Sequence, residues 1–197
     1  MSAFEDVPAA VCENVGMTNT SVVSVSRDDL HRFSKPVVEQ ITLLDGLGID
    51  GDAHCGATTQ HRYLVKKDPG RPNLCQVHLI GVELYDELAR EGWPVEPGQL
   101  GENVTTRGID LMSLPSGSIL HLGAEASIEI TGKRSPCSQI NGLAPGLMKA
   151  VFGVNGSGKR ESRAGIMGIV LTGGIVRAND DLRVELPEGP FRALLAV

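Results

Sequence analysis

The stretch SILHLGAEASIEITG, residues 118–132, decides the fold. Two apolar runs flank the turn Gly123–Glu125, the signature of a β-hairpin. Working outward, TSVVSVS (20–26), VVEQITLL (37–44) and CQVHLI (75–80) read as further strands, and MGIVLTGGIVRANDDLRVEL (167–186) reads as a second hairpin turning at Gly173–Gly174. Two helices interrupt them. In GVELYDELAREGW (81–93), Val82, Tyr85, Leu88 and Ala89 share one helical face, giving a helix over about 82–91 closed by Pro94, Pro97 and Gly98. In PGLMKAVFG (145–153), Leu147, Met148, Val151 and Phe152 form an apolar stripe. Residues 56–73 turn polar, and KKDPGRPN (66–73) reads as a loop. Many short strands with two brief helices make a mainly β, barrel-like domain.

The composition agrees. With 197 residues, 41% hydrophobic, the chain can bury one substantial core, so a single domain is expected. Its 24 glycines and 11 prolines against 4% aromatic residues suit a turn-rich protein with a core of Val, Ile and Leu. A formal charge of −6 excludes a general nucleic-acid binder, which needs a concentrated basic surface. The longest apolar runs are broken by paired glycines and too short to span a bilayer, and the first residues are acidic where a secretory signal is basic. A cytoplasmic protein is the expectation. Its four cysteines, Cys12, Cys55, Cys75 and Cys137, are then expected as free thiols or ligands.

Three stretches carry candidate chemistry. GVNGSGKRES (153–162) has the glycine and lysine spacing of a phosphate loop, but Arg160 stands where Mg²⁺ binding needs Ser or Thr, and a helix is expected before the loop instead of a strand. A basic surface loop is the better reading, and Lys159, Arg160 and Arg163 could close it over an anion. The second stretch gathers His54, Cys55, His61, Cys75 and His78, ligand types that suit zinc. Their spacings match no paired zinc template, and Cys75 and His78, three apart on an expected strand, point to opposite faces. The third is ITGKRSPC (130–137): Pro136 stiffens the chain that presents Cys137, and Lys133 and Arg134 favour a thiolate if their charges lie near it. From these residues alone Cys137 is a buried thiol, a nucleophile or a ligand.

Taken together, GLGIDGDAHCG (46–56), CQVHLI (75–80), PGQLGENVTTRGIDLMSLPSGSILHLG (97–123), EITGKRSPC (129–137) and RAGIMGIVLTGGIVRANDDL (163–182) resemble, in order and spacing, the MOSC domain, named for the C-terminal part of molybdenum cofactor sulfurase. The likeness is to small stand-alone bacterial members and divides the chain into an N-terminal arm, 1–20, and a MOSC domain, 21–190. It implies a β-barrel related to that of pyruvate kinase. It also implies that Cys137 is the molybdenum ligand or sulfur carrier, and that Arg134, Thr131, Glu102, Asn103, Asp52, His54 and Arg163 line its pocket. The implied cofactor is molybdenum cofactor (molybdopterin), and the implied activity is reduction of N-hydroxylated compounds. The alternative is a non-catalytic carrier of persulfide sulfur or of the cofactor. Either role expects a sulfur donor or redox partner protein, with no nucleic acid and no membrane. Two departures stand out: Cys75 replaces an arginine common before the Gln-Val pair, and VNGSGKRES (154–162) looks like an insertion whose basic residues could restore that charge.

Overall fold

The structure, a computed structural model, describes residues 20–154, 158 and 160–197. The expected N-terminal arm, save its last residue, lies outside them, with Cys12 and Lys159. In chain order the strands and helices are β1 (Ser21–Ser26), β2 (Val37–Val38), β3 (Gln40–Leu44), β4 (Gly48–Ile49), α1 (Arg62–Lys67), β5 (Val77–Gly81), α2 (Val82–Arg90) and β6 (Val104–Arg107). Then come β7 (Ile119–Leu122), β8 (Ala126–Lys133), α3 (Leu147–Ala150), β9 (Phe152–Val154), β10 (Arg160–Ser162), β11 (Ile166–Thr172), β12 (Gly174–Arg177) and β13 (Leu182–Glu185). The chain is thus mainly β with a few short helices. Among the described residues, no helix is long and apolar enough to cross a membrane.

Eight strands form one sheet in the order β13-β7-β8-β11-β5-β6-β1-β2. The opening stretch forms the β7–β8 hairpin in the register Ile119↔Glu129 to Leu122↔Ala126. Continuous pairing does not close this sheet into the expected barrel. Its flank at β13 meets the start of β1 through the isolated bridge Ser21↔Asp181 and a few separate bonds, among them Val22 N–H to Asp180 O, Asn179 N–H to Val22 O and Leu182 N–H to Thr20 O. The three-stranded sheet β12-β3-β4 supplies the facing wall. Between the two lies an aliphatic core that includes Val22, Ile41, Leu79, Val104, Leu120, Ile128, Ile166 and Val176.

The second expected hairpin is not one. β11 pairs with β8 and β5, whereas β12 leaves that sheet to pair with β3. Gly173 makes the exchange possible, because a Cβ there would stand 2.6 Å from the Leu43 carbonyl oxygen of β3. The expected loop over 66–73 begins inside α1, a helix with no buried residue and hence no apolar stripe to announce it. Cys75 also stands ahead of β5 and not on it.

α2 forms as expected, but its buried face is Val82, Leu84, Tyr85 and Leu88, with Ala89 exposed. It crosses from β5 to β6, the parallel pair of the large sheet. A second apolar cluster forms beneath it. Ile80, Leu88, Leu100, Ile140, Leu147 and Val151 are its most buried members. β5 therefore serves both clusters, Leu79 inward and Ile80 outward. Ile140 anchors the short 3₁₀ turn Ser138–Gly142 that starts at Cys137, so the second cluster holds the cysteine segment in place.

Gly165, just before β11, has φ +90°, and a Cβ there would press on the Leu79 carbonyl oxygen and approach Ile80 Cγ1 to 2.7 Å. Gly92 has the same φ with nothing within 4 Å. Gly165→Ala is expected to cost about 3 kcal/mol from strain and overpacking combined, and Gly92→Ala about 1 kcal/mol. Urea unfolding of the two variants checks the ordering.

Candidate functional site

The site begins at a buried turn. After β4 the chain turns through GDAH, and the Asp52 side chain is folded inward with 2% of its surface exposed. Its Oδ2 accepts from Lys35 Nζ at 2.6 Å, from Asn103 Nδ2 at 3.0 Å and from the Asp28 N–H at 3.4 Å. Its Oδ1 accepts from the His54 N–H at 2.9 Å and faces His54 Nδ1 at 3.2 Å. Burial opposes this charge, but the His54 bonds and the Lys35 ammonium outweigh it and hold the carboxyl well below the usual carboxylate range. Lys35 is itself buried, so the pair is an internal ion pair with its acceptor sites filled.

The partners of Asp52 shape the surrounding walls. Asp28, held down at about 2 chiefly by the Arg32 guanidinium, grips Arg32 through bonds of 2.6 and 2.7 Å and folds the loop that carries His31, Phe33 and Lys35. Asn103 joins three elements: its Nδ2 also donates to Ser26 O, and its Oδ1 accepts the His78 N–H. Both amide hydrogens of Asn103 therefore already have acceptors within the protein. His78 lies fully inside, its Nε2 2.7 Å from Ala164 O. Burial and then the Arg134 charge push its pKa down to about 3, so it is neutral.

Together these walls enclose a cavity of about 540 Å³ that contains Cys137. Four of the chain's five histidines line it, His31, His54, His61 and His78, along with Arg32, Lys35, Arg62 and Arg134, and no Asp or Glu does. Arg32 and Lys35 are neutralised by Asp28 and Asp52. Among the described residues neither Arg62 nor Arg134 is in an ion pair. The Arg134 guanidinium lies 5.9 Å from the Phe33 ring centroid, within cation–π range. Cys137 is half-buried, its Sγ donating to Gln139 Oε1 at 3.4 Å.

The structure thus brings Cys137, Arg134, His54 and Asn103 to one cavity, with Asp52 directly behind it. It does not bring the others there. Glu102 is fully buried, its Oε1 accepting the Gly98 N–H and the Thr105 hydroxyl, and it pins the loop before β6. The Thr131 hydroxyl donates to Leu74 O, tying the segment ahead of Cys75 to β8. Arg163 lines a separate cavity of about 610 Å³ and pairs there with Glu87. Lys133 pairs with Glu161, and Arg160 stacks 4.1 Å from the Phe152 ring. Accordingly Arg134, with Arg62 on the cavity lining and Arg71 near Cys75, supplies the positive charge around Cys75 and Cys137, whereas Arg160 and Arg163 are engaged elsewhere.

Residues outside the expected set also shape this site. Lys35 stands 17 positions from its partner Asp52, with no local pattern linking them. His31, whose ring lies 5.1 Å from that of His54, and Phe33 could have been suspected from the dense HRFSKP run at 31–36. Among the described residues no three His, Cys, Asp or Glu side chains gather as a metal set. The Cys75 thiol is pushed up by burial, against the nearby charges of Arg71 and Arg134. The Cys55 thiol is pushed up by burial and by Asp50 and Asp52.

The buried, neutral His78 has a consequence for acid stability. Between about pH 6.5, where histidine ordinarily titrates, and about 3, the unfolded chain carries a proton that native His78 does not. The stability from His78 is thus complete above the upper value and is lost as pH falls through this window, with a slope of about 1.4 kcal/mol per pH unit. His78→Gln should flatten the stability profile over pH 4–6 by about that slope. Urea denaturation at stepped pH measures it.

Comparison with known proteins follows the same lines. The family model described as MOSC domain matches residues 66–183. No curated protein sequence matches the chain. Among solved structures, the chain is similar to the YuaD protein from Bacillus subtilis at 25% identity and a TM-score of 0.69, over 86% of this chain and 97% of that one. YiiM from Geobacillus stearothermophilus shares the fold at 20% identity, TM-score 0.59, over 84% of this chain and 75% of its own. YiiM from Escherichia coli does so at 21% identity, TM-score 0.56, over 88% and 72%. The family match spans more than half of the residues and takes in β5 through β12, including β5 and β11, which place His78 and Met167 in the Cys137 cavity, so this chain belongs to the MOSC domain family.

Proposed function

We propose that this protein binds molybdenum cofactor in the Cys137 cavity and serves the reduction of N-hydroxylated compounds. The observation that carries the reading is the cavity itself: a half-buried thiol among histidines and unpaired guanidinium groups, with no Asp or Glu side chain in the lining. The residues present fit the group. A cysteine thiolate is a soft ligand suited to a molybdenum centre. Arg62 and Arg134 offer planar donors to a terminal phosphate. A volume of about 540 Å³ falls within the range of small-ligand sites. When bound, molybdenum supplies the redox chemistry.

The remaining work falls to the chain. Asp52 takes the Nδ1 proton of His54 as a hydrogen bond, leaving Nε2 free to accept or deliver a proton within the cavity. Neutral His78, donating from Nε2 to Ala164 O, adds no charge next to Arg134. Asn103, with its amide hydrogens already committed, acts here as a brace for Asp52 in preference to a donor toward a pterin edge. The half-exposed thiol also favours a second reading, in which Cys137 carries a persulfide to an acceptor protein.

Protein purified from a cofactor-competent host should carry about one molybdenum per chain, as a single thiolate site implies, and Cys137→Ser should carry little. Elemental analysis decides, and absence of the metal from both forms would overturn the reading. A gain of about 32 Da on the Cys137 peptide after treatment with a cysteine desulfurase would then support the carrier.

A further inference from the structure

We infer that residues 192–197 form a strap that sets the size of ligand Cys137 can accept, with Val197 as the selecting side chain. β7 covers β8 only as far as Glu129, with Gly117 N–H to Ile130 O as a last bond. Beyond it, residues 131–133 of β8 would present an open edge on that side. The strap fills that edge as an added strand. Lys133 N–H donates to Leu195 O at 2.7 Å, Val197 N–H donates to Lys133 O at 3.2 Å, and Lys133 and Ala196 form a parallel bridge. Its path requires Gly132, where a Cβ would press on Leu195 O and stand 2.7 Å from Val197 Cγ1.

The strap is fixed lightly. Ser116 N–H donates to Arg192 O, and Leu194, 5% exposed, reaches the main core. Leu195 is 77% exposed, and Arg192 and Ala196 are exposed as well. One apolar anchor and a few edge hydrogen bonds describe a segment from the low end of local stability. Its position gives it leverage on the thiol: Lys133, the residue it grips, ends the strand that leads directly to Arg134 and Cys137. Val197 itself lines the Cys137 cavity, beside Arg134 and Met167. Its methyl carbons pack on Gly132 of β8, which places Val197 with Phe33, Tyr63, Leu64 and Met167 among the apolar residues of the lining.

The inference rests on Cys137 being the reacting group of its cavity, and not on what that thiol binds. Its test uses alkylation of Cys137 in the purified chain, followed on the Cys137 peptide by mass spectrometry, with iodoacetamide as the small reagent and fluorescein maleimide as the bulky one. If the strap covers the thiol in about nine-tenths of molecules, deleting residues 195–197 raises the ratio of bulky to small reaction rates about tenfold. Val197→Gly, which keeps the strap's backbone, should give an intermediate rise. An unchanged ratio in both variants overturns the inference. So does equal acceleration of both reagents, which would make the strap a brace for the cysteine segment without size selection. Molybdenum content of the wild-type protein, measured separately, decides the cofactor reading and has no bearing on this ratio.

Discussion

The Asp52 carboxylate, buried against the Lys35 ammonium at 2.6 Å, is the contact on which the site depends. It gathers stretches with no sequence proximity: the loop after β1 through Asp28 and Lys35, its own turn through His54, and the approach to β6 through Asn103. An ion pair this deep stabilises only if the remaining lone pairs are satisfied, and here the bonds from His54, Asn103 and Asp28 satisfy them. Removing Lys35 alone would leave a buried charge without its counter-ion. Removing Asp52 would strand an ammonium and release the tautomeric hold on His54.

That arrangement explains how an acidic protein presents a cationic cavity. Asp28 and Asp52 do not line the pocket, and each is paired with a cation that does, Arg32 and Lys35. What remains on the surface of the cavity is Arg62, Arg134 and four histidines. Packing supplies the other half of the design. The main core fixes the strands, and the second apolar cluster fixes the turn after Cys137 through Ile140, so the thiol is held between two independently buried anchors.

How much of this could be read from the sequence depended on whether the signal was local. α2 and the β7–β8 hairpin were legible because apolar periodicity and turn chemistry act within a few residues. β11 and β12 read as a hairpin because a strand that changes sheets at paired glycines has the same local pattern as one that turns back; only the approach to Leu43 distinguishes them. α1 was invisible because nothing in it is buried. For the site, the family motif carried Cys137, Arg134, His54 and Asn103 to one cavity, yet it could not tell that Arg163 falls on the far side with Glu87, or that Glu102 and Thr131 spend their hydrogen bonds on the scaffold. Lys35 was missed because its partner Asp52 is distant in sequence, and Arg62 because it reaches the cavity from α1, which carries no local signal.

The central claim is that ligand binding belongs to the Cys137 cavity and draws on Arg134, whereas the cavity around Arg163 is separate. The most direct test is the fluorescence of oxidised pterin released from protein purified out of a cofactor-competent host, compared for wild type, Arg134→Ala and Arg163→Ala. Pterin present in wild type, retained in Arg163→Ala and depleted in Arg134→Ala is the expected result. Depletion in Arg163→Ala with retention in Arg134→Ala, or no pterin in the wild-type protein, would contradict it.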